Sequence, residues 1–273
     1  MRPRRILRRP TALLSIAVLA LLVLAAIAAP LLAPSAPEEQ LRGLELQPPS
    51  LAHPFGTDQL GRDLLSRAAY GLRVSLVAGG LAAAGGGVIG ALLGLLAGYR
   101  GGAVDTFLMR VVDGLIAFPT LLLGIAMAAA LGPGLRSIVL AIAVVQIPIF
   151  ARLARAAMLQ EKAKEYVAAA TTTGADSVRI IFVHILRNAL PPLIVQLALS
   201  MGSSVTIEAS LSFLGIGIEP PEPSLGSILD SSRGFLRGHL NYTLFPGMVL
   251  ASLLLGLNGL ADTLNEALNP VHR

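Results

Sequence analysis

Residues 160–192 read QEKAKEYVAAATTTGADSVRIIFVHILRNALPP, a polar and charged stretch with long apolar runs on both sides. The pattern predicts two short helices, 161–173 and 178–189, with a turn at Gly174 between them. Asp176 or Ser177 is placed to cap the second helix. A charged helical hairpin between apolar runs predicts a membrane protein with one large loop outside the bilayer.

The second predicted helix has one apolar face. Its apolar residues recur at positions i, i+3, i+4, i+7, i+8 and i+11, which gathers them on one side of an α-helix. An amphipathic helix of this kind is typical of a segment that docks in a groove of another protein. The residues on this face are Val178, Ile181, Phe182, Ile185, Leu186 and Ala189.

Composition sets the broad class of protein. The chain has 273 residues, of which 54% are hydrophobic and 14% charged, and its mean hydropathy is +0.73. These values predict a multi-pass protein of the cell membrane, with the lipid bilayer as its main surroundings. The absence of cysteine excludes disulfides and thiolate ligands. The net charge of +5 comes with arginines at the ends of apolar runs, which favours membrane topology over nucleic-acid binding.

Six apolar stretches are long enough to cross the bilayer. Five arginines in the first ten residues place the amino terminus in the cytoplasm by the positive-inside rule, and six crossings return the carboxyl terminus there. The loop 99–105 and the polar segment are then cytoplasmic, and the alternative of a signal peptide cleaved near 26–28 is disfavoured by its long apolar run. The predicted spans are 11–32, 74–98, 106–131, 137–157, 190–214 and 244–264.

Glycine is dense in the second span. Gly90, Gly94 and Gly98 recur at four-residue spacing, which predicts close helix packing rather than a ligand site. The run also lacks the lysine that a phosphate-binding loop requires after its last glycine. We therefore expect no ATP site of this type in the chain.

Several polar residues and prolines lie inside predicted spans. Arg110 and Asp113 are three residues apart, which predicts an ion pair on one helix face. Glu208 is expected to face a cavity or another subunit rather than lipid. Prolines at 119, 148 and 246 are expected to kink their spans.

No catalytic or metal-binding constellation is predicted. His53, Asp58 and Asp63 share an outer loop, but a lone histidine in a loop rich in glycine and proline is typical of a structural residue. No nucleophile-elbow motif occurs either. A secondary transporter that uses Asp113 and Glu208 is a competing reading, but the chain shows no repeated halves with broken helices.

The chain as a whole resembles the integral membrane subunit of ATP-binding-cassette importers of the peptide/nickel class, most closely the second permease subunit of dipeptide or oligopeptide systems. The order and spacing of the matching segments carry this resemblance, which covers nearly the whole sequence. The segments are HPFGTDQLGRDLLSR at 53–67, EYVAAATTTGAD at 165–176, HIL at 184–186, NALPP at 188–192, EASLSFLGIG at 208–217, PPEPSLG at 220–226, FPG at 245–247 and NP at 269–270.

The resemblance implies an all-α membrane protein with six transmembrane helices and the type I importer permease fold. It divides the chain into a tail, first helix and outer loop at 1–72 and a five-helix core at 73–273 whose coupling loop spans about 158–190. It implies a second homologous permease, two ATPase subunits that bind ATP and magnesium, an extracytoplasmic solute-binding protein, and no cofactor on this chain. The implied cargo is peptides, with nickel, heme or another small solute as alternatives.

The charges inside predicted spans and the matching segments also single out residues. Candidates for the translocation pathway or for subunit contact are Asp113, Glu208 and Phe213. The implied ATPase-coupling residues are Glu165, Tyr166, Ala168, Ala169, Ala170, Gly174, Ala175, Asp176, Phe182, Ile185 and Leu186.

Two positions depart from the family pattern. Ala168 stands where the motif usually begins with glutamate, so a salt bridge from that position to the ATPase is lost, and Glu165 one turn earlier is its expected substitute. Arg187 stands where proline is common, so the second helix is expected to continue to Asn188 and to end at Pro191.

Overall fold

The computed structural model describes residues 10–268, which form helices joined by loops and contain no strand. The five N-terminal arginines and the motif at 269–270 lie outside these residues. The helices are α1 (Pro10–Ile27), α2 (Ala29–Leu32), α3 (Leu64–Arg100), α4 (Gly102–Ile116), α5 (Thr120–Leu131), α6 (Leu135–Lys162), α7 (Glu165–Thr172), α8 (Ser177–Phe213), α9 (Leu225–Ser232) and α10 (Leu240–Leu268).

Five of these helices, α1, α3, α6, α8 and α10, are long and apolar enough to cross a membrane. The predicted third span is not one helix: α4 and α5 are bent by 94° where they meet. Pro119 explains the break, because it lacks a backbone N–H and disfavours helical geometry at the residue before it. Pro148 and Pro246, in contrast, lie inside the continuous helices α6 and α10.

Helices α3 and α6 pack along a seam of glycines, as the sequence predicted. A Cβ at Gly90 or Gly94 would collide with the backbone of Ile147 or Ala151, so only glycine permits this approach. At Gly98 it would lie 2.8 Å from the Met158 side chain. The partners advance by four residues on both helices, which means that α3 and α6 run parallel.

The parallel arrangement decides how many times the chain crosses. Because α3 and α6 point the same way, the chain must return to its starting end between them. Only α4 and α5 lie in that interval of the described chain. The bent pair therefore makes one crossing, and residues 10–268 contain the six predicted crossings.

Polar side chains join α8 to the glycine seam. The Gln146 side-chain amide on α6 donates to the Ser203 and Ser204 hydroxyls at 2.9 and 2.8 Å. It also reaches the Ser200 carbonyl at 3.1 Å. Inside an apolar bundle such bonds fix the rotation of one helix against the other. Helices α3, α6 and α8 consequently form one connected unit.

The loop 33–63 is held by its own polar contacts. Arg62 donates to Asp58 at 2.6 Å, and the His53 ring contacts the Asp63 carboxylate at 2.9 Å. Asp63 also caps α3 by accepting from the Ser66 backbone N–H at 2.7 Å. All three residues considered as metal ligands are thus engaged in the fold of the loop.

Candidate coupling segment and pathway residues

The polar segment forms a helical hairpin, but its first helix is shorter than predicted. Glu161 and Lys162 belong to the end of α6, and the chain breaks at Ala163 and Lys164 before α7 begins. The new helix ends at Thr172, close to the predicted end at 173. We call residues 163–186 the coupling segment.

The turn at Gly174 is confirmed and has the form of a Schellman motif. The Gly174 N–H donates to the Thr171 carbonyl, and the Ala175 N–H to the Ala170 carbonyl, both at 3.0 Å. Gly174 has φ +84°, a left-handed conformation that strongly favours glycine. No atom lies within 4 Å of a Cβ built there, so the requirement is conformational rather than steric.

Asp176 is the residue that caps α8. Its carboxylate accepts from the Arg179 backbone N–H at 3.0 Å. The helix then continues to Phe213, so the prediction that Pro191 ends it was wrong. Pro191 and Pro192 lie inside the helix, where they leave two carbonyls without an intrahelical partner. Those carbonyls belong to Arg187 and Asn188, which are exposed.

The predicted apolar face of α8 is divided between two environments. Ile185 and Ala189 are buried within this chain, whereas Val178 and Phe182 are 62% and 47% exposed. The reason is a π-helical turn at Ile180–Ile185. Each residue of such a turn adds less rotation than in an α-helix, so side chains spaced for an α-helix no longer share one face. The full stripe is therefore not available for docking.

The buried half of the hairpin is braced against the bundle. Tyr166 donates to Glu161 at 2.8 Å, and the Asn188 side chain donates to the Tyr166 hydroxyl at 3.1 Å. Burial raises the pKa of the Tyr166 phenol, and neighbouring Glu161 adds to this, so the hydroxyl keeps its proton at neutral pH. Val167 is buried beside Ile180 in the same cluster. Tyr166, predicted as a coupling residue, thus lies within the brace.

The outer half of the hairpin is largely exposed, and it contacts α3 where the Tyr99 hydroxyl donates to the Ser177 hydroxyl at 3.0 Å. Ala168 lines a cleft of about 470 Å³ together with Lys162, Lys164 and Glu165. Ala168, which stands where the family pattern has glutamate, therefore lines the same cleft as Glu165, the residue expected to substitute for that glutamate. The predicted coupling residues that the structure exposes are Glu165, Ala168, Ala169, Gly174, Asp176 and Phe182; Ala170, Ala175 and Leu186 are half-buried.

The three pathway candidates lie in different places. Asp113 pairs with Arg152 of α6 at 2.7 Å, so the predicted pairing with Arg110 was wrong. Glu208 is fully buried between α3 and α8, where it accepts from Ser75 at 2.6 Å and Ser212 at 2.9 Å. It is shielded from lipid by the chain itself rather than facing a cavity or a second subunit.

Phe213 is the last residue of α8, and its ring makes a cation–π contact with an arginine. The Arg233 guanidinium lies 3.9 Å from the ring centre. Arg233 also donates to the Phe213 carbonyl. These contacts tie the end of α8 to the segment after α9.

Sequence reasoning missed a cleft of about 430 Å³ beside the break between α4 and α5. Its polar lining residues are Thr120, Gln146, Arg152 and Ser203, and Phe118 lines it at the break. Arg152 was the available signal, because it is a charge inside the predicted span 137–157. The pairing of Arg152 with Asp113 was not visible in the sequence, since the two residues lie on different helices and 39 positions apart.

Two protein-family models match this chain. Residues 90–271 match the family described as binding-protein-dependent transport system inner membrane component, and residues 3–49 match the N-terminal TM domain of oligopeptide transport permease C. The predicted division at residue 72 falls between the two matches and stays a prediction.

Relatives align over almost the whole chain. The dipeptide transport system permease protein DppC of Haemophilus influenzae is 42% identical, over 95% of this chain and 90% of its own. The di/tripeptide transport system permease protein DppC of Pseudomonas aeruginosa is 41% identical, over 92% and 84%.

A solved structure shares the fold. The inward-facing MetNI methionine ABC transporter matches with a TM-score of 0.61 at 20% identity, over 76% of this chain and 96% of its own. This likeness confirms the expected fold class, the type I importer permease. The six crossings, the hairpin with its Gly174 turn and the family match together show that the chain belongs to the binding-protein-dependent transport system inner membrane components, multi-pass proteins of the inner membrane.

Proposed function

We propose that this chain is one of two permease subunits of an ATP-driven peptide importer and that its coupling segment docks on an ATPase subunit. Peptides are the favoured cargo because relatives about 40% identical are dipeptide and di/tripeptide permeases. In this proposal two ATPase subunits bind ATP and magnesium, a homologous permease completes the pathway, and an extracytoplasmic binding protein delivers the peptide. This chain binds no cofactor and catalyses no reaction of its own.

One observation carries the coupling role: an exposed turn is joined rigidly to a spanning helix. The hairpin turns at Gly174, and α8 then runs for 37 residues without ending. At 1.5 Å per residue the helix is about 55 Å long. Ile180 and Ile185 are buried, which fixes the helix against the bundle at its π-helical turn. A displacement at the turn is therefore carried into the membrane rather than lost in a loop.

The coupling segment lies in the cytoplasm in this proposal. Helices α3 and α6 run parallel, and the coupling segment follows the end of α6, so the loop at 101 shares its side of the membrane. The arginine-rich amino terminus supports the same side by the positive-inside rule.

The coupling segment gives the ATPase a means of shifting the permease between two conformations. When two ATPase subunits close on ATP, the paired coupling segments are drawn together. Binding energy then favours one of two membrane arrangements, as any ligand-driven switch requires. Because α3, α6 and α8 are bonded together, they respond as one unit.

Two single cysteines test docking and sidedness together in this cysteine-free chain. Ala169→Cys lies on the exposed side of α7, and Leu51→Cys lies in the exposed outer loop. We expect Ala169→Cys to cross-link to the ATPase subunit in membranes and Leu51→Cys not to. In cells whose cell wall and any outer membrane have been removed, an impermeant thiol reagent should label Leu51→Cys but not Ala169→Cys. The reverse labelling, or a failure of Ala169→Cys to cross-link, would overturn the proposal.

A further inference from the structure

Two ion pairs join α4 to α6 within the spanning part of the chain, and they differ in how firmly they are held. Arg155 makes two hydrogen bonds to Asp105, at 2.5 and 2.6 Å, in the forked geometry that suits arginine and carboxylate. Arg152 makes one bond to Asp113, at 2.7 Å. The side chains of Arg152 and Asp113 are 54% and 53% exposed. The Arg152–Asp113 pair is therefore accessible to solvent and is held by fewer hydrogen bonds than the Arg155–Asp105 pair.

Exposed charges on a spanning helix need water or protein around them, because charged groups facing lipid are costly. The pair also lies beside broken backbone, since Arg152 and Phe118 line the same cleft. Non-helical backbone at membrane depth is tolerated only where protein or a water-filled cavity covers it. Both observations indicate that this face of the chain borders an aqueous route or another subunit.

The space around the pair suits a small peptide. Arg152 lines two clefts, of about 370 and 430 Å³. The first also contains Asp113 and Arg155, and the second offers the polar side chains of Gln146 and Ser203. An accessible cation and anion thus lie beside two open spaces, and together they complement the two opposite charges of a zwitterion.

We propose that Arg152 and Asp113 are an exchangeable ion pair that binds the terminal charges of a peptide in transit, a role that rests on the proposed function. Arg152 binds the terminal carboxylate, and Asp113 binds the terminal ammonium. Each protein charge exchanges one opposite charge for another, so no unpaired charge is left in the spanning region. Because the internal pair reforms when the peptide leaves, binding is weak and release is fast, as transport requires.

Uptake of modified peptides tests the exchange. The intact importer, with its ATPases and binding protein, is reconstituted in vesicles and given a dipeptide, its N-acetyl form or its C-terminal amide, each over a range of concentrations. We expect Asp113→Asn to reduce the preference for the free dipeptide over the N-acetyl form by about tenfold. Arg152→Gln should do the same for the preference over the amide.

The preference is compared with that of the unmodified importer. The binding protein's own selectivity is the same in both and cancels, as does the amount of folded importer. Arg110→Gln is the matched control, because it removes an exposed arginine of α4 that lines neither cleft and should change uptake of all three peptides by one factor. If Asp113→Asn and Arg152→Gln also lower all three equally, the pair is a structural lock or a subunit contact and the exchange is wrong. Absence of any peptide uptake by the unmodified importer would instead overturn the proposed function.

Discussion

Replacing Gly174 separates conformation from size at the coupling turn. The residue has φ +84°, and no atom lies within 4 Å of a built Cβ. A side chain therefore meets no clash within this chain, and its only cost there is the left-handed backbone. That cost is about 1–2 kcal/mol for an ordinary L-residue. Asparagine adopts this conformation much more readily than a β-branched residue.

Gly174→Val and Gly174→Asn form the matched comparison, since their side chains are of similar size. Valine should shift the segment away from the Schellman turn by about 2 kcal/mol, which corresponds to roughly a thirtyfold loss of the docking-competent conformation. Asparagine should cost only a small part of this. Both variants keep the buried brace around Tyr166, so the amount of permease in the membrane should not change.

The assay is ATP hydrolysis stimulated by loaded binding protein in the reconstituted importer, measured as a function of ATPase-subunit concentration. Valine should move the half-saturating concentration upward by up to thirtyfold, whereas asparagine should leave it near the original value. Equal shifts in the half-saturating concentration for valine and asparagine would refute the reasoning. Docking would then depend on the size of the side chain at position 174 rather than on its backbone conformation. No effect of either would remove Gly174 from the docking site.

Three further outcomes are expected. Gly94→Ala should lower the unfolding temperature in detergent, because its Cβ would meet the Ala151 backbone, whereas Gly114→Ala, which has open space around it, should not; equal shifts would contradict the seam. Glu208→Ala should destabilise the permease by about 1–3 kcal/mol, because the hydroxyl hydrogens of Ser75 and Ser212 lose their carboxylate acceptor. Glu208→Gln should cost less in the same unfolding measurement. Ala168→Glu should tighten ATPase binding in a pull-down titration. Ala103→Glu, at an exposed position outside the coupling segment, should not, and equal gains would exclude a specific role for position 168.

The sequence predicted the crossings and the coupling turn because both depend on local signals. Span length and apolar composition count residues along the chain, and a turn of the Gly174 type is set by a left-handed residue and a following cap. The glycine seam was also predictable, since four-residue spacing on one helix already specifies a close approach. Only the identity of its partner, α6, needed the structure.

The incorrect predictions came from rules based on neighbouring residues, applied at positions where contacts with distant parts of the chain decide the structure. The apolar stripe of α8 was read at α-helical periodicity, but the π-helical turn rotates Ile185 and Val178 into different surroundings. Asp113 was paired with the nearest arginine in sequence, although Arg152 on another helix is its partner. Pro191 was expected to end the helix, but the helix continues; Arg187 and Asn188, whose carbonyls lose their usual partners, are exposed residues. Each of these outcomes depends on how a helix packs against the rest of the protein, which the neighbouring residues in sequence do not determine.

The broken span is the part of the bundle best placed to move when the coupling segment is displaced. Helices α3, α6 and α8 are joined by the glycine seam and by the side chains of Gln146 and Glu208, so they must shift together. The pair α4 and α5 is different: glycines with positive φ and open space around them flank it, at 101 and 102 on one side and at 132 and 134 on the other. Such positions absorb rotation at little cost. Asp113 lies on this pair and Arg152 on the rigid unit, so a rotation of the broken span about the firmly held Arg155–Asp105 contact would change the separation of Asp113 and Arg152. The same movement that begins at the exposed turn would then open and close the ion pair.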